Sequence, residues 1–357
     1  RKKSRRLGLI CAWPWLRWTP VRLVVDTATW TQAPQAWRDL WWLVTAPRFW
    51  PWDLEADAGV FGHRLWSPKQ DAVVQDWLLA QARAPGALLS AVNRMASPEQ
   101  PDTDYLSVAQ PLRLGRLAEA LFGFFIQHSP AVQWLASGVP VFEQPSPGVN
   151  GRQQRGELDA LWRDDTGHLV HAELAVKFYA LAHPSTPAGQ AIGPDGVENW
   201  QHKLDKLCHR QLQHPLPVPW DQAPVKRLAH VRGRWFLPGD DAVATDWRQR
   251  APDTERFGPR LSRAQLASRP FPLGCRVRFL RRLEWLGPVA QTTDAALVAP
   301  NAQGLLDVPR LVAEAPVHSH ERVQMLGVFA PDASGVWLEQ WRAWIDPERP
   351  AEPTIAA

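Results

Sequence analysis

The sequence has few cysteines, few tyrosines and no long uncharged apolar run. Its three cysteines, Cys11, Cys208 and Cys275, stand at no metal-type spacing in 357 residues. They predict reduced thiols in a cytoplasmic protein and argue against a disulfide framework or a zinc site. No uncharged apolar run approaches the ~20 residues that a membrane span needs. We also find no P-loop and no internal repeat, which argues against a P-loop nucleotidase and a solenoid.

Tryptophan is abundant instead, with 21 residues against 2 tyrosines. The tryptophans are spread along the whole chain, which favours core packing over a single base-stacking platform. The net charge is +4, but five positive charges lie within the first six residues. Subtracting these five from +4 leaves −1 for the rest of the chain. A nucleic-acid interface would therefore have to be a local basic patch.

Residues 1–30 join the basic RKKSRR to the apolar LGLICAWPW and do not begin with Met. This pattern imitates a signal peptide, but Pro14 and Arg17 interrupt the apolar run and no small-residue cleavage site follows. We expect a poorly ordered extension or an over-extended reading frame. A basic arm that binds nucleic acid is the alternative.

The stretch 156–179 predicts a β-hairpin. Residues 158–163 and 169–179 alternate apolar and polar, and Asp165-Thr166-Gly167 between them supplies turn chemistry. One face of the second strand is wholly apolar: Val170, Ala172, Leu174, Val176 and Phe178. The other face carries every ionisable group: His171, Glu173 and Lys177, with Leu169, Ala175 and Tyr179 between and beside them. On the first strand, Glu157 and Asp159 share one face, and Leu158, Ala160 and Trp162 share the opposite one.

The length of the turn decides whether the two polar faces coincide. A three-residue loop with Gly167 in the left-handed position pairs Asp164 with His168, and hence Asp159 with Glu173. A four-residue loop would place these carboxylates on opposite faces. Opposed carboxylates are destabilising unless one is protonated or a cation lies between them. A hard divalent cation is the simplest way to satisfy both.

The segments ELD at 157–159 and ELAVK at 173–177 resemble the PD-(D/E)XK nucleases, which carry an Asp on one strand and a Glu and a Lys on the next. More closely, the chain is similar to an uncharacterised bacterial family of unknown function that is assigned to that superfamily. The matching stretches span roughly 31–347 and are WRDLWWLVTAP at 37–47, LGRLAEALFGFFI at 114–126, the hairpin, and GRWFLP at 233–238.

The resemblance implies an Mg²⁺ or Mn²⁺ ion held by Asp159, Glu173 and the backbone carbonyl of Leu174. It also implies that Lys177 orients the attacking water or stabilises negative charge. The usual Lys lies two residues after the Glu, where this chain has Ala175. Lys177 lies on the same face but about 13 Å along the strand from Glu173, at ~3.3 Å per residue.

Further candidates lie around this core. In PD-(D/E)XK folds the helix before the sheet often adds an acidic ligand, and Glu119 matches that place; the alternative is a surface Glu on a helix. Glu157 is a reserve ligand. His171 is either a general base or a plain polar strand residue.

Two pairs of basic residues are candidates for binding nucleic acid, with DNA as the expected partner. Lys203 and Lys206 lie one turn apart on a helix predicted at 198–213. They could replace the missing lysine or hold a phosphate, or form a solvated face. Arg232 and Arg234 alternate on a strand predicted at 225–237, on one face. The Pro- and Gly-rich loop 183–196 could be a mobile flap over the site.

These features predict an α/β (α+β) fold with a central mixed β-sheet flanked by helices and a restriction-endonuclease-like core. We expect a helical N-terminal lobe at 31–110, the core at 111–240, and an α/β C-terminal extension at 241–357 that ends in a hairpin of 324–329 and 336–345. The expected function is a metal-dependent nuclease. The alternatives are a catalytically inactive module on the same fold that binds nucleic acid or protein, and a plain amphipathic sheet whose outer face is simply polar.

Overall fold

The computed structural model describes residues 25–46, 49, 65–97, 105–106, 113–142, 154–183, 185–238, 257–293, 297–313 and 322–347. Most of the expected N-terminal extension, residues 1–24, lies outside the described residues. Within the described part, no helix combines the length and the apolarity that crossing a bilayer would require.

The chain folds as an α+β structure built on one mixed sheet of nine strands. The strands are β1 (Gln133–Phe142), β2 (Gln154–Arg163), β3 (Leu169–Ala180), β4 (Val225–Pro238), β5 (Phe257–Leu261), β6 (Arg276–Leu280), β7 (Ala290–Gln291), β8 (Gln324–Pro331) and β9 (Trp337–Ile345). The helices are α1 (Thr27–Gln32), α2 (Gln35–Thr45), α3 (Asp71–Arg83), α4 (Gly86–Ala96), α5 (Leu114–His128), α6 (Trp200–His209), α7 (Arg263–Ser268) and α8 (Val308–Ala313). The predicted mixed sheet flanked by helices is confirmed.

The strand order is β1-β2-β3-β4-β5-β9-β8-β6, with β7 beside β9. The pairs β1–β2 and β2–β3 are antiparallel, whereas β3–β4, β4–β5 and β5–β9 are parallel. The predicted terminal hairpin is confirmed as β8 and β9, which pair antiparallel. Through β5 and β9, the C-terminal strands extend the same sheet that carries the β2–β3 hairpin.

Helices α2 and α5 cover one face of this sheet. The predicted core stripe of α5 is buried throughout: Leu114, Leu117, Leu121 and Phe125. This stripe joins a cluster with the apolar face of β3, including Val170, Ala172 and Phe178. The apolar face of α5, whose residues recur every three or four positions, thus packs against the apolar face of β3, whose residues recur every second position.

Helix α6 covers the opposite face. Trp200, Leu204 and Leu207 of α6 pack in a second cluster with Ala175 and Tyr179 of β3. The loop expected to be a flap is anchored at the end of β3, because Ile192 pairs with both Ala180 and Asn199. Helices therefore cover both faces of β3. The candidate site lies between these helices and the β2–β3 hairpin.

Candidate metal centre at the β2–β3 fork

The turn of the β2–β3 hairpin has the predicted three-residue register. The Asp164 N–H donates to the His168 carbonyl at 3.0 Å, and Arg163 pairs with Leu169. Gly167 adopts φ +83°, the left-handed conformation that favours glycine. Burial acts to raise the pKa of Asp164, but hydrogen bonds from Lys226, Thr166 and the His168 N–H lower it to about 2.

Strands β2 and β3 separate shortly after the turn. Their pairing ends at Ala160 and Ala172, while β3 stays paired with β4 as far as Ala180. Beyond this point the Leu174 N–H donates to Asp159 Oδ2 at 2.7 Å. In a strand the N–H and C=O of one residue point to the same side, so the Leu174 carbonyl is directed into this gap. We call the gap between Asp159 of β2 and Glu173–Leu174 of β3 the fork.

The alternation of β2 breaks at the fork. Leu158 packs with Leu161 in one cluster, whereas Ala160 and Trp162 belong to another. The prediction that Leu158 shares a face with Ala160 and Trp162 is therefore wrong. The backbone of β1 is irregular here, since Gly138, between the partners of Leu158 and Ala160, has φ +64°.

Glu173 is fully buried and belongs to a hydrogen-bonded network. Its Oε1 lies 2.9 Å from His171 Nε2, and its Oε2 accepts from Gln211 Nε2 at 2.9 Å. Lys203 Nζ, which can only donate, lies 3.1 Å from Gln211 Oε1 and so fixes the orientation of the amide. Arg227 Nη1 faces His171 Nδ1 at 3.3 Å, which makes Nδ1 the acceptor and Nε2 the protonated nitrogen. Both oxygens of Glu173 therefore accept from neutral donors, an arrangement that suits a carboxylate.

The two fork carboxylates interact electrostatically. Burial and then the charge of Glu173 raise the pKa of Asp159 to about 8, against the lowering effect of the Leu174 N–H. Burial also raises the pKa of Glu173 to about 7, although the Asp159 backbone N–H and the Lys203 charge oppose the rise. Since both Glu173 oxygens are acceptors, the proton that the pair holds near neutral pH belongs on Asp159. A cation between the carboxylates would replace that proton.

The other predicted acidic residues lie on the α5 side of the fork. Glu119 and Glu157 line a cavity of about 370 Å³ together with Asp159. Glu119 forms an ion pair with Arg116 at 2.8 Å. Burial raises the pKa of Glu119, and the charge of Glu157 adds to this effect against Arg116. Asp159 is accessible on this side, whereas Glu173 lies in the network on the α6 side, so the prediction that the two carboxylates share one face of the sheet is wrong. The role of Glu119 as an additional metal ligand stays a prediction.

Lys203 is the lysine whose positive charge lowers the pKa of both Asp159 and Glu173. It is buried, with an exposed fraction of 9%, so the expectation of a solvated face is wrong for Lys203, whereas Lys206 is exposed. Burial and the charge of Lys177 lower the pKa of Lys203 to about 8. Lys177 lies on the predicted face but forms an ion pair with Glu198, which also accepts from the Tyr179 hydroxyl at 3.1 Å.

Arg232 and Arg234 are buried beneath α2, with exposed fractions of 2% and 7%. Arg232 Nε donates to the Leu43 carbonyl at 3.1 Å, and the Arg234 guanidinium lies 5.9 Å from the centroid of the Trp42 ring. In this position they are not accessible to a phosphate backbone, which corrects their assignment as nucleic-acid-binding residues. Alternating charges on a covered central strand give the same sequence pattern as those on a solvated strand.

His171 is also fully buried. Burial and the Arg227 charge lower its pKa to about 4, so the ring is neutral at pH 7 and donates to Glu173. It orients that carboxylate and has no access to solvent, which disfavours its role as a general base. Gln211 and Arg227, which complete the network, and Glu198, which binds Lys177, were not found from the sequence. Only their positions in the fold give them these roles.

The donors at the fork are two carboxylates and one backbone carbonyl, an all-oxygen set that suits Mg²⁺ or Mn²⁺. Mg²⁺ is commonly held by one or two carboxylates and keeps several waters. Among the residues that the structure describes, no group of three or more His, Cys, Asp and Glu side chains is placed to hold a metal ion. The donor chemistry therefore suits a hydrated hard cation, and the binding of one ion by both carboxylates stays a prediction.

Comparison with known proteins gives one family. The family described as Domain of unknown function (DUF1853) matches residues 38–345. No curated protein and no solved structure matches the chain.

Proposed function

Since the chain belongs to the DUF1853 family, whose description names no activity, we propose its function from the fork: a Mg²⁺- or Mn²⁺-dependent nuclease that hydrolyses phosphodiester bonds. The restriction-endonuclease-like core is part of the same proposal. It is supported by a mixed sheet in which a β-hairpin presents an Asp and a Glu on neighbouring strands, covered by a preceding helix that carries Glu119.

One observation carries the proposal. Asp159 and Glu173 flank the same fork, where the Leu174 N–H donates to Asp159 Oδ2 at 2.7 Å, and the charge of Glu173 raises the pKa of Asp159. Two carboxylates close together in a partly buried place destabilise a fold unless one is protonated or a cation lies between them. The network from Lys203 to Arg227 holds Glu173 with both oxygens as acceptors, which prepares it to bind a cation.

In this proposal Asp159, Glu173 and the Leu174 carbonyl hold the ion. When bound, such an ion lowers the pKa of a coordinated water and neutralises charge on the phosphate. Lys203, held by Gln211 behind Glu173, is a positioning residue that supports this carboxylate as a metal ligand. His171 and Gln211 position Glu173 through its two oxygens and do not contact the substrate.

The direct test is cleavage of nucleic acid by the purified chain. We expect single- or double-stranded DNA or RNA to be degraded with Mn²⁺ or Mg²⁺ and not with EDTA. Asp159→Asn should reduce the rate at least about 100-fold, because it removes one carboxylate from the ion. Asp205→Asn, an equal loss of charge on the exposed side of α6, serves as the matched control. A folded wild-type chain that cleaves none of these substrates with either metal would refute the nuclease.

A second candidate, a binding module without catalysis, is favoured by one observation. Ala175 is buried where the PD-(D/E)XK pattern has its Lys, and Lys177 is occupied by Glu198. If this candidate holds, the protein binds nucleic acid or protein without metal, and Asp159→Asn binds as well as wild type. Gel-shift assays in EDTA, run beside the cleavage assay, separate the two candidates.

A further inference from the structure

The cavity on the α5 side of the fork is bounded by α4, α5 and strands β1, β2 and β3. Its volume is about 370 Å³, at the lower end of the range of small-molecule pockets. Asp159 and Leu174 line it, so the cavity leads to the proposed metal ligands. On the α6 side, in contrast, Glu173 and His171 are fully buried.

The cavity is lined by both acidic and basic side chains. Asp159, Glu157 and Glu119 contribute carboxylates, whereas Arg94 of α4 and Arg116 of α5 contribute guanidinium groups. Both arginines are exposed, and Arg94 forms no ion pair with an acidic group in the described part of the chain. Acidic groups beside cationic ones suit a ligand that is anionic and reaches the carboxylates through a metal ion.

The same cavity has an aromatic wall. His128 is exposed and lies against Phe124, with the ring centroids 4.6 Å apart. Both residues line the cavity. An aromatic or imidazole ring beside guanidinium groups is the combination on which single-stranded bases stack while their phosphates are bound.

We propose that this cavity receives one nucleotide of a single-stranded nucleic acid, with the phosphate near Arg94 and Arg116 and the base against His128. The inference rests on the proposed function and specifies its substrate. A base-paired nucleotide is held in a stiff double helix, and it would have to be unpaired and extruded to enter a cavity of this size. A single strand or a frayed end delivers a nucleotide without that cost.

The test is the binding of a labelled 12-nucleotide oligothymidylate, measured by fluorescence anisotropy with Ca²⁺, a hard cation that oxygen ligands also hold, in place of Mg²⁺ or Mn²⁺. Gel electrophoresis of the recovered oligonucleotide verifies that it remains intact. We expect the single strand to bind at least about tenfold tighter than a 12-base-pair duplex of mixed sequence. Arg94→Gln should weaken binding roughly three- to tenfold, and Arg116→Gln should weaken it by less, because Glu119 already pairs with that guanidinium. His128→Ala should weaken it by a factor similar to that of Arg94→Gln through lost stacking. Arg83→Gln on the exposed surface of α3, outside the cavity, is the matched control and should bind as wild type does.

Equal or tighter binding of the duplex would overturn this inference, as would a loss in Arg83→Gln as large as that in Arg94→Gln. The result is separable from the outcome of the nuclease assay. Metal-dependent cleavage of duplex with no preference for single strands would retain the nuclease and reject the single-strand cavity. Selective single-strand binding that depends on Arg94, without cleavage, would retain the cavity and reject the nuclease.

Discussion

Two lysines, Lys177 and Lys203, are candidates for the positive charge that acts at the fork. Lys177 lies on the strand that carries Glu173, but its ammonium is bound by Glu198. Lys203 comes from α6, is buried, and is linked to Glu173 through Gln211. The sequence could not distinguish them, because strand spacing gives the face of Lys177 but not its partner, and helix spacing does not show that α6 packs over the fork.

We therefore predict that Lys203→Met lowers the metal-dependent cleavage rate about 10- to 100-fold, the magnitude typical of losing a residue that orients a metal ligand. Lys177→Met should lower it by less than about tenfold, since its charge is already neutralised by Glu198. Initial rates at saturating Mn²⁺ measure both, and Lys203→Arg should recover part of the rate. The reverse order, with Lys177→Met the more damaging, would return the catalytic role to the strand lysine.

Ionised Asp159 lowers the stability of the folded chain at high pH. Its pKa is raised from its ordinary value of 3.8 to about 8, so the folded state holds a proton that the unfolded state releases. This contribution to stability is complete below pH 4 and is lost as pH rises through about 8. In EDTA at pH 8 we expect Asp159→Asn to raise the free energy of unfolding by on the order of 1–2 kcal/mol.

Urea unfolding of Asp159→Asn and wild type between pH 5 and 8 checks this prediction. The difference in the free energy of unfolding between the two proteins should widen as pH rises, because only wild type loses the stabilising contribution of the proton on Asp159. Asp205→Asn should follow wild type throughout. If Asp159→Asn is the less stable protein at pH 8, the folded chain does not disfavour the ionised form of Asp159.

At the scale of elements, the hairpin turn sets the register on which the fork depends. Asp164 accepts hydrogen bonds from the backbone N–H groups of Thr166 and His168, at 3.0 and 2.9 Å, and from Lys226 Nζ at 2.7 Å. The sequence predicted this turn and register, since turn chemistry is local. It did not predict that β2 and β3 separate after Ala172 or that β2 breaks its alternation, because neither feature has a local signal in the sequence of the hairpin.

We predict that Asp164→Ala lowers the free energy of unfolding by about 1–2 kcal/mol at pH 7 through the loss of these hydrogen bonds. The pKa of Asp164 is lowered to about 2, so its contribution is present above pH 4 and is lost as pH falls towards 2. Urea unfolding at pH 7 and pH 3 measures the difference, which should shrink at the lower pH. Asp165→Ala, one residue along the turn, loses one exposed hydrogen bond from the Ser67 hydroxyl and should change stability by less than about 0.5 kcal/mol. Equal losses in the two variants would contradict the role given to Asp164.

At the scale of the whole molecule, the sheet runs without interruption from β1 to β6. Phe236 of β4 packs against Trp344 of β9 with ring centroids 5.5 Å apart. Arg260 of β5 binds the Asp346 carboxylate at 2.9 Å and the Leu181 carbonyl at 2.8 Å. Hydrophobic patterning predicted the sheet and its last hairpin, but patterning shows which face is buried and not which distant strand pairs with which.

We therefore predict that a chain truncated after residue 240 does not fold, because the cut exposes the edge of β4 and removes Trp344 from the core. The full chain should unfold in a single transition, as expected of one cooperative core. Circular dichroism and size-exclusion chromatography of the truncated chain, with calorimetry of the full chain, check both statements. A soluble, folded 1–240 fragment would show that the core is independent of the C-terminal strands.

The most direct test of the fork is calorimetric titration of the folded, metal-free chain with Mn²⁺. We predict one binding site in wild type that is abolished by Asp159→Asn and by Glu173→Gln and retained in Asp205→Asn. A wild-type chain that takes up no Mn²⁺, or binding that survives both fork substitutions, would contradict the account.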